Sequence, residues 1–197
     1  IMAHVSATRA NVMTFGESAG ADVRAVDITL DERARPVFTL EYKGDRQRVA
    51  LTLTGEHQVA NALAATSMAL AAGIDLGAIV DALEHYESVS RWRMEITERP
   101  DGVTIINDAY NANPESMRAA LKALVALAAG RRTWAVVGEM REIGDTSIME
   151  HDAIGRLAVR LDVSRLIAVG DGARALHLGA LQEGSWGEES TWVPDIE

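Results

Sequence analysis

Between Asn107 and Met117 the chain reads NDAYNANPESM, which places Asp108, Tyr110, Asn111, Asn113 and Ser116 within ten residues. An Asp accepts hydrogen bonds from hydroxyls, an Asn amide both donates and accepts, and a Tyr adds a ring and a hydroxyl, so the set suits a ligand bearing hydroxyls, amides and carboxylates. Pro114 fits the first turn of a helix and an Asn before it fits the N-cap, so one of these amides has a purely structural use open to it. Loops at strand-to-helix turns carry binding groups disproportionately, which favours a functional reading of the set as a whole. Three further constellations stand out. GEHQVANALAA opens a helix with His57, Gln58 and Asn61; WRMEI carries Arg93 two residues after Arg91; VVGEMREIG brings Glu139 and Glu142 to a strand end, with His151 on the helix that follows. Taken singly, a helix-opening His or Asn is more often a cap than a ligand, and an Arg or Glu at a surface reads as a solvated charge.

Elements that can position these groups are visible in the hydrophobic pattern. From residue 90 onward strands and helices alternate: RMEITE, GVTIIND, a helix from about Pro114 to Ala129, TWAVVG, a helix from about Met149 to Leu161, RLIAVG, a helix from about Ala173, and STWV. That order predicts a Rossmann-like parallel sheet covered by helices, and the near-continuous apolar runs VTII, WAVV and LIAV predict strands buried on both faces. Ligands of such sheets sit beyond the carboxyl ends of the strands, here Asn107-Asp108, Gly138-Glu139 and Gly170-Asp171.

Residues 1–89 read differently. VRAVDITL, PVFTLEYKG and QRVALTLTG alternate in polarity and predict a small antiparallel sheet. VANALAATSMALAAG predicts a buried helix ending at Gly73, and a second helix runs from about Leu76 to Tyr86. The fold class is therefore α/β, a partial α/β domain with a small antiparallel sheet and two helices over 1–89, then a parallel-sheet domain over 90–197 that is expected to be incomplete at its end. The boundary is expected near Ser88 to Ser90. The opening stretch IMAHVSATRANVMTFG has the pattern of a helix end followed by a strand, as if from the middle of a fold.

The 48% hydrophobic content is enough to fill a core, and no stretch reaches the roughly 18 apolar residues of a membrane span. With no cysteine, disulfides and thiolate chemistry are excluded, and the expected compartment is the cytoplasm. Net charge is -10, spread evenly: 7 basic against 12 acidic residues over 1–89, and 12 against 17 over 90–197. Neither region offers the basic footprint that nucleic-acid binding needs. A small anion remains within reach of a few placed Arg side chains or helix N-termini.

The segment NDAYNANPESMRAAL closely resembles the Mur ligase family, whose wording here is D-x-YNANP-x-SM. GEHQVANALAA resembles the family's G-x-H-N-x-x-N-x-x-A-A with Gln58 in an Asn position, WRMEI resembles GRMEV with Trp92 in a Gly position, and GEMREIG resembles GEM-x-ELG with Ile143 in the Leu position. The resemblance covers nearly the whole chain. It implies an ATP-dependent amide ligase of peptidoglycan synthesis, in which ATP activates a peptide carboxylate as an acyl phosphate. YNANP further implies D-alanyl-D-alanine as the amine that attacks and UDP-N-acetylmuramoyl-tripeptide as its partner, in a monomeric enzyme. On that reading Asn61, Arg93, Asp108 and His57 meet ATP, whereas Tyr110, Asn111, Asn113, Glu139, Glu142 and His151 belong to the acceptor side. The family's G-x-x-GK-[ST] phosphate loop does not occur in these 197 residues, and the magnesium ligands that accompany ATP are expected upstream. The chain alone is therefore expected to hold no catalytic residue and to show no turnover.

Two other readings compete. A dinucleotide-binding oxidoreductase domain is suggested by the βαβ pattern and Gly170-Asp171-Gly172, but AVGDGARAL lacks the third Gly of the phosphate-binding fingerprint. A catalytically silent binding module is the other.

Overall fold

The computed structural model describes residues 10–87, 91–184 and 188–195. They divide between Glu87 and Ser88 into two compact units. The boundary expected at Ser88 to Ser90, the first nine residues of the opening stretch and part of the EGSWGEES loop lie outside the described residues.

The first unit holds a four-stranded sheet, in order β1 (Phe15–Gly16), β2 (Val23–Leu30), β3 (Pro36–Tyr42) and β4 (Asp45–Ala50), followed by helices α1 (Gln58–Ala71) and α2 (Leu76–Glu84). β2, β3 and β4 are antiparallel, and the short β1 runs parallel to β2. Strand alternation sends Val23, Ala25, Phe38, Leu40 and Val49 into a core closed by Val59, Leu63 and Val80 from the helices. α1 is not buried all round: Val59, Ala62, Leu63, Thr66 and Ser67 are covered, but Met68 is 69% exposed. Its Ala-rich composition reads as core, yet only one face has the sheet to pack on. Gly73 ends the helix in the left-handed region at φ 83°, and Ile74 N–H returns to the Ala69 carbonyl. Asp75 caps α2 by accepting from the Gly77 and Ala78 N–H groups.

The second unit begins with β5 (Glu95–Glu98) and β6 (Thr104–Asn107), continues through α3 (Pro114–Ala128), β7 (Trp134–Val137), α4 (Ser147–Arg160), β8 (Arg165–Val169) and α5 (Arg174–Glu183), and closes with β9 (Ser190–Val193). β7, β8 and β9 form the parallel sheet in that order. β5 and β6, by contrast, pair antiparallel, Glu95 opposite Asn107. Five residues, Arg99 to Val103, connect them through a turn in which Gly102 N–H returns to the Arg99 carbonyl. A parallel crossover needs a dozen or more residues, so the short link dictates a hairpin.

Ala135, Leu166 and Ala168 share one core with Ile154 and Ala158 of α4 and Leu176 and Ala180 of α5. The two helices touch at glycines: a Cβ on Gly155 would lie 1.9 Å from the Leu176 carbonyl oxygen, and one on Gly179 would lie 2.3 Å from that of Asp152. The opposite face of β7 is open. Trp134 is 56% and Val136 65% exposed, so this strand is buried on one face, not on both as its apolar run predicts.

Candidate functional site

The turn after β6 is built by three local devices. Asn113 caps α3: its side-chain oxygen accepts the Ser116 N–H at 2.9 Å, and the Ser116 hydroxyl oxygen accepts the Asn113 N–H at 3.0 Å. Pro114 takes the first helical position. Asn111 turns its side-chain oxygen to the Ala112 N–H at 2.9 Å. The predicted site residue Asn113 thus spends its acceptor on the helix, leaving its amide NH2 as the group for a ligand.

Before β5, the chain lies against this turn. Asp108 Oδ1 accepts the Met94 N–H at 2.9 Å, and Tyr110 N–H donates to the Trp92 carbonyl at 3.1 Å. Between those two anchors the Arg93 guanidinium sits 4.2 Å from the centre of the Tyr110 ring, a cation-π stack. Arg93, Asp108 and Tyr110 are therefore brought together although 17 residues of sequence separate the first from the last. The anchoring holds Trp92 at φ 62° and Met94 at φ 48°, both left-handed, on either side of Arg93. Such backbone conformations concentrate where function over-determines them. Neither was visible in the sequence, except that Trp92 occupies a family glycine position.

A second loop, Gly138 to Gly144, follows β7. Met140 is buried, and its N–H donates to His151 Nε2 at 2.9 Å. His151 is 0% exposed, and its Nδ1 lies 2.7 Å from the Ser147 carbonyl oxygen. Because Nε2 accepts, the proton belongs on Nδ1, where it serves that carbonyl. His151 thus acts on the loop from beneath and has no surface to offer a ligand. Glu139 and Glu142 are exposed on the loop; Glu142 is left-handed at φ 61°, and Arg141 Nε lies 3.5 Å from Glu139. Arg118 of α3 pairs with Glu150 of α4 at 2.6 Å, fixing the helix that starts at the first turn to the helix that carries His151.

In the first unit, His57, Gln58 and Asn61 form one chain of polar contacts at the start of α1. Gln58 Nε2 is 3.1 Å from His57 Nε2, and Asn61 Nδ2 donates to Gln58 Oε1 at 3.0 Å. The His57 ring occupies the space over Gly55, 2.6 Å from where a Cβ would stand. Gln58, the departure from the family wording, is the link between the other two.

Comparison with known proteins decides the family. Residues 92–197 match the family model described as Mur ligase, glutamate ligase domain, and residues 1–69 match Mur ligase middle domain. The chain belongs to the Mur ligase family. It is 50% identical over 193 residues to the UDP-N-acetylmuramoyl-tripeptide--D-alanyl-D-alanine ligase of Mycobacterium tuberculosis, a match covering 95% of this chain and 38% of that protein. It is 31% identical over 159 residues to the ligase of the same name from Escherichia coli, covering 81% of this chain and 34% of that one. A crystal structure of MurF from Acinetobacter baumannii superposes with a TM-score of 0.78 at 34% identity, over 92% of this chain and 37% of that chain. The chain thus spans about 38% of the length of the curated relatives it matches. These matches support the ligase reading over the dinucleotide-binding oxidoreductase one.

Proposed function

We propose that residues 1–89 are the C-terminal part of the central, ATP-binding domain, and residues 90–197 the C-terminal domain, of an ATP-dependent ligase. The complete enzyme would add D-alanyl-D-alanine to UDP-N-acetylmuramoyl-tripeptide in peptidoglycan synthesis, as a cytoplasmic monomer. The observation that carries this reading is the 50% identity over 95% of the chain to a ligase of that name. No helix among the described residues is long and apolar enough to cross a membrane.

The residues present suit the nucleotide. Asn61 offers an amide, the group whose paired donor and acceptor match the N6 and N7 edge of adenine. Asp108 presents a carboxylate, the usual partner of ribose hydroxyls, and its bond from the Met94 N–H holds it in the turn. Arg93 is held over Tyr110 with its guanidinium N–H groups directed by the stack, suited to an anionic or aromatic part of ATP, and His57 supports Asn61 through Gln58. ATP supplies the activation of the carboxylate, with magnesium as its counter-ion and no magnesium ligand assigned to this chain. On the acceptor side, Tyr110, Asn111 and the NH2 of Asn113 meet the dipeptide. Glu139 and Glu142 face it from the second loop, and His151 contributes by holding that loop. Positioning of this kind, more than chemical participation, is how such groups accelerate a transfer.

The test is a mass-spectrometric assay of the complete enzyme with ATP, magnesium, UDP-N-acetylmuramoyl-tripeptide and D-alanyl-D-alanine. Formation of the pentapeptide product with release of phosphate is expected, with no turnover from the 197-residue chain alone. Product with L-alanine and UDP-N-acetylmuramate, in place of the D-alanyl-D-alanine reaction, would overturn the assignment.

A further inference from the structure

The turn Gly170-Asp171-Gly172 after β8 has a use apart from the dinucleotide motif it imitates. A Cβ placed on Gly172 would lie 2.2 Å from Cδ, 2.4 Å from Oε1 and 2.5 Å from Cγ of Glu139. The Glu139 side chain therefore lies across the Gly172 backbone, in space that any other residue would fill. β7 and β8 are parallel neighbours, Val137 opposite Ala168, so the loops that follow them leave the sheet side by side. Glu139 crosses from one loop to the other.

The two partners differ in freedom. Gly170 is fixed at both its polar groups: its N–H donates to the Val193 carbonyl at 2.9 Å, and its carbonyl accepts Trp192 Nε1 at 2.9 Å. Ala173 is 0% exposed, and its N–H returns to the Gly170 carbonyl at 3.2 Å. Gly172 sits between these fixed points. Glu139 is a flexible side chain, 41% exposed, with Arg141 at 3.5 Å as its ion-pair partner. Where a rigid backbone and a mobile side chain share a contact, the backbone decides where the side chain rests.

We propose that Gly172 is a positioning residue for the acceptor site: by lacking a side chain it seats Glu139, whose carboxylate then receives the amino end of the acceptor dipeptide. This rests on the reading of Glu139 as an acceptor-side group. A dipeptide has one group able to donate to a carboxylate with charge assistance, its terminal amine, and its own carboxylate is repelled from the same place, so a seated Glu139 also sets the dipeptide's direction. The three atoms nearest an added methyl at 172 all belong to the flexible Glu139 side chain and none to backbone, so the variant is expected to keep its fold and displace the carboxylate.

The experiment is a double-mutant cycle in the complete enzyme, with Gly172→Ala, Glu139→Ala and the pair, read as KM for D-alanyl-D-alanine, KM for ATP and thermal midpoint. Gly172→Ala is expected to raise the KM for D-alanyl-D-alanine roughly tenfold, the scale of one hydrogen bond to a charged group, with the KM for ATP and the midpoint unchanged. In the Glu139→Ala background it is expected to add nothing. Wild-type kinetics for Gly172→Ala beside an impaired Glu139→Ala would overturn the positioning role and leave the acceptor reading standing. Wild-type kinetics for Glu139→Ala would overturn the acceptor reading itself. An undiminished Gly172→Ala effect without Glu139, or a midpoint lowered by more than about 5 °C, would show that the glycine serves the fold instead.

Discussion

Replacing His151 by alanine exposes how much of the second loop's order rests on one buried ring. The substitution leaves the Met140 N–H, on a residue only 1% exposed, without its acceptor at 2.9 Å. An unsatisfied buried donor costs about 1–3 kcal/mol. Removing a ring that is 0% exposed adds a cavity penalty, and large-to-small core changes as a class cost about 2–5 kcal/mol. A combined loss of about 3–5 kcal/mol follows, since the two effects overlap at one site. His151→Gln is the control, because its side-chain oxygen can reach the place of Nε2 and preserve the bond to Met140, with an expected loss of about 1 kcal/mol. All four tryptophans lie between residues 88 and 197, so tryptophan fluorescence in a urea titration reports the second unit alone. An alanine variant within about 0.5 kcal/mol of the parent would refute the buried-acceptor argument, since that is the scatter of an ordinary surface change. A glutamine variant as unstable as alanine would show that ring packing, not the hydrogen bond, holds the loop.

Three further outcomes follow from the geometry. Asn113→Ala should cost about 1 kcal/mol by uncapping α3, whereas Asn113→Asp keeps the acceptor for Ser116 and should leave stability near the parent while raising the KM for D-alanyl-D-alanine; urea midpoints and kinetics of the complete enzyme separate the two uses. Trp92→Gly should stabilise by up to about 1 kcal/mol in calorimetry, since relief of a left-handed non-glycine residue, about 1–2 kcal/mol, exceeds the chain-entropy cost of glycine and little burial is lost at a 54% exposed residue. His177 has its pKa lowered from 6.5, first by burial and then by the nearby Arg174 charge. The unfolded chain therefore takes up its proton first as pH falls, so stability contributed above pH 6.5 is lost on acidification below it, and His177→Gln should flatten that part of a thermal-midpoint profile.

Local signals were readable wherever one residue type answers one backbone need. Pro114 after Asn113 announces the start of α3, and Gly73 announces the end of α1, because capping and left-handed geometry are properties of a few adjacent residues. The hairpin of β5 and β6 was signalled too, by Pro100-Asp101-Gly102, a turn sequence that the expectation of a parallel sheet overrode. Burial was less legible. WAVV is apolar throughout, yet Trp134 and Val136 are exposed, since hydrophobicity does not reveal which face finds a partner. Contacts across space were not legible at all: the stack of Arg93 on Tyr110, the bond from Met140 to His151 and the seat of Glu139 on Gly172 each join elements whose approach only the fold determines.

The proposed division of labour within Asn107 to Met117 gives Asp108 to the nucleotide and Tyr110, Asn111 and Asn113 to the acceptor. Its most direct measurement is the pair of KM values, for ATP and for D-alanyl-D-alanine, in the complete enzyme carrying Asp108→Asn or Asn111→Ala. Asp108→Asn removes the charge while retaining an oxygen for the Met94 N–H, so that bond of the turn is kept. A raised KM for ATP alone in the first variant, and for D-alanyl-D-alanine alone in the second, is the predicted result. Both variants raising the same KM, or neither raising any, would contradict it.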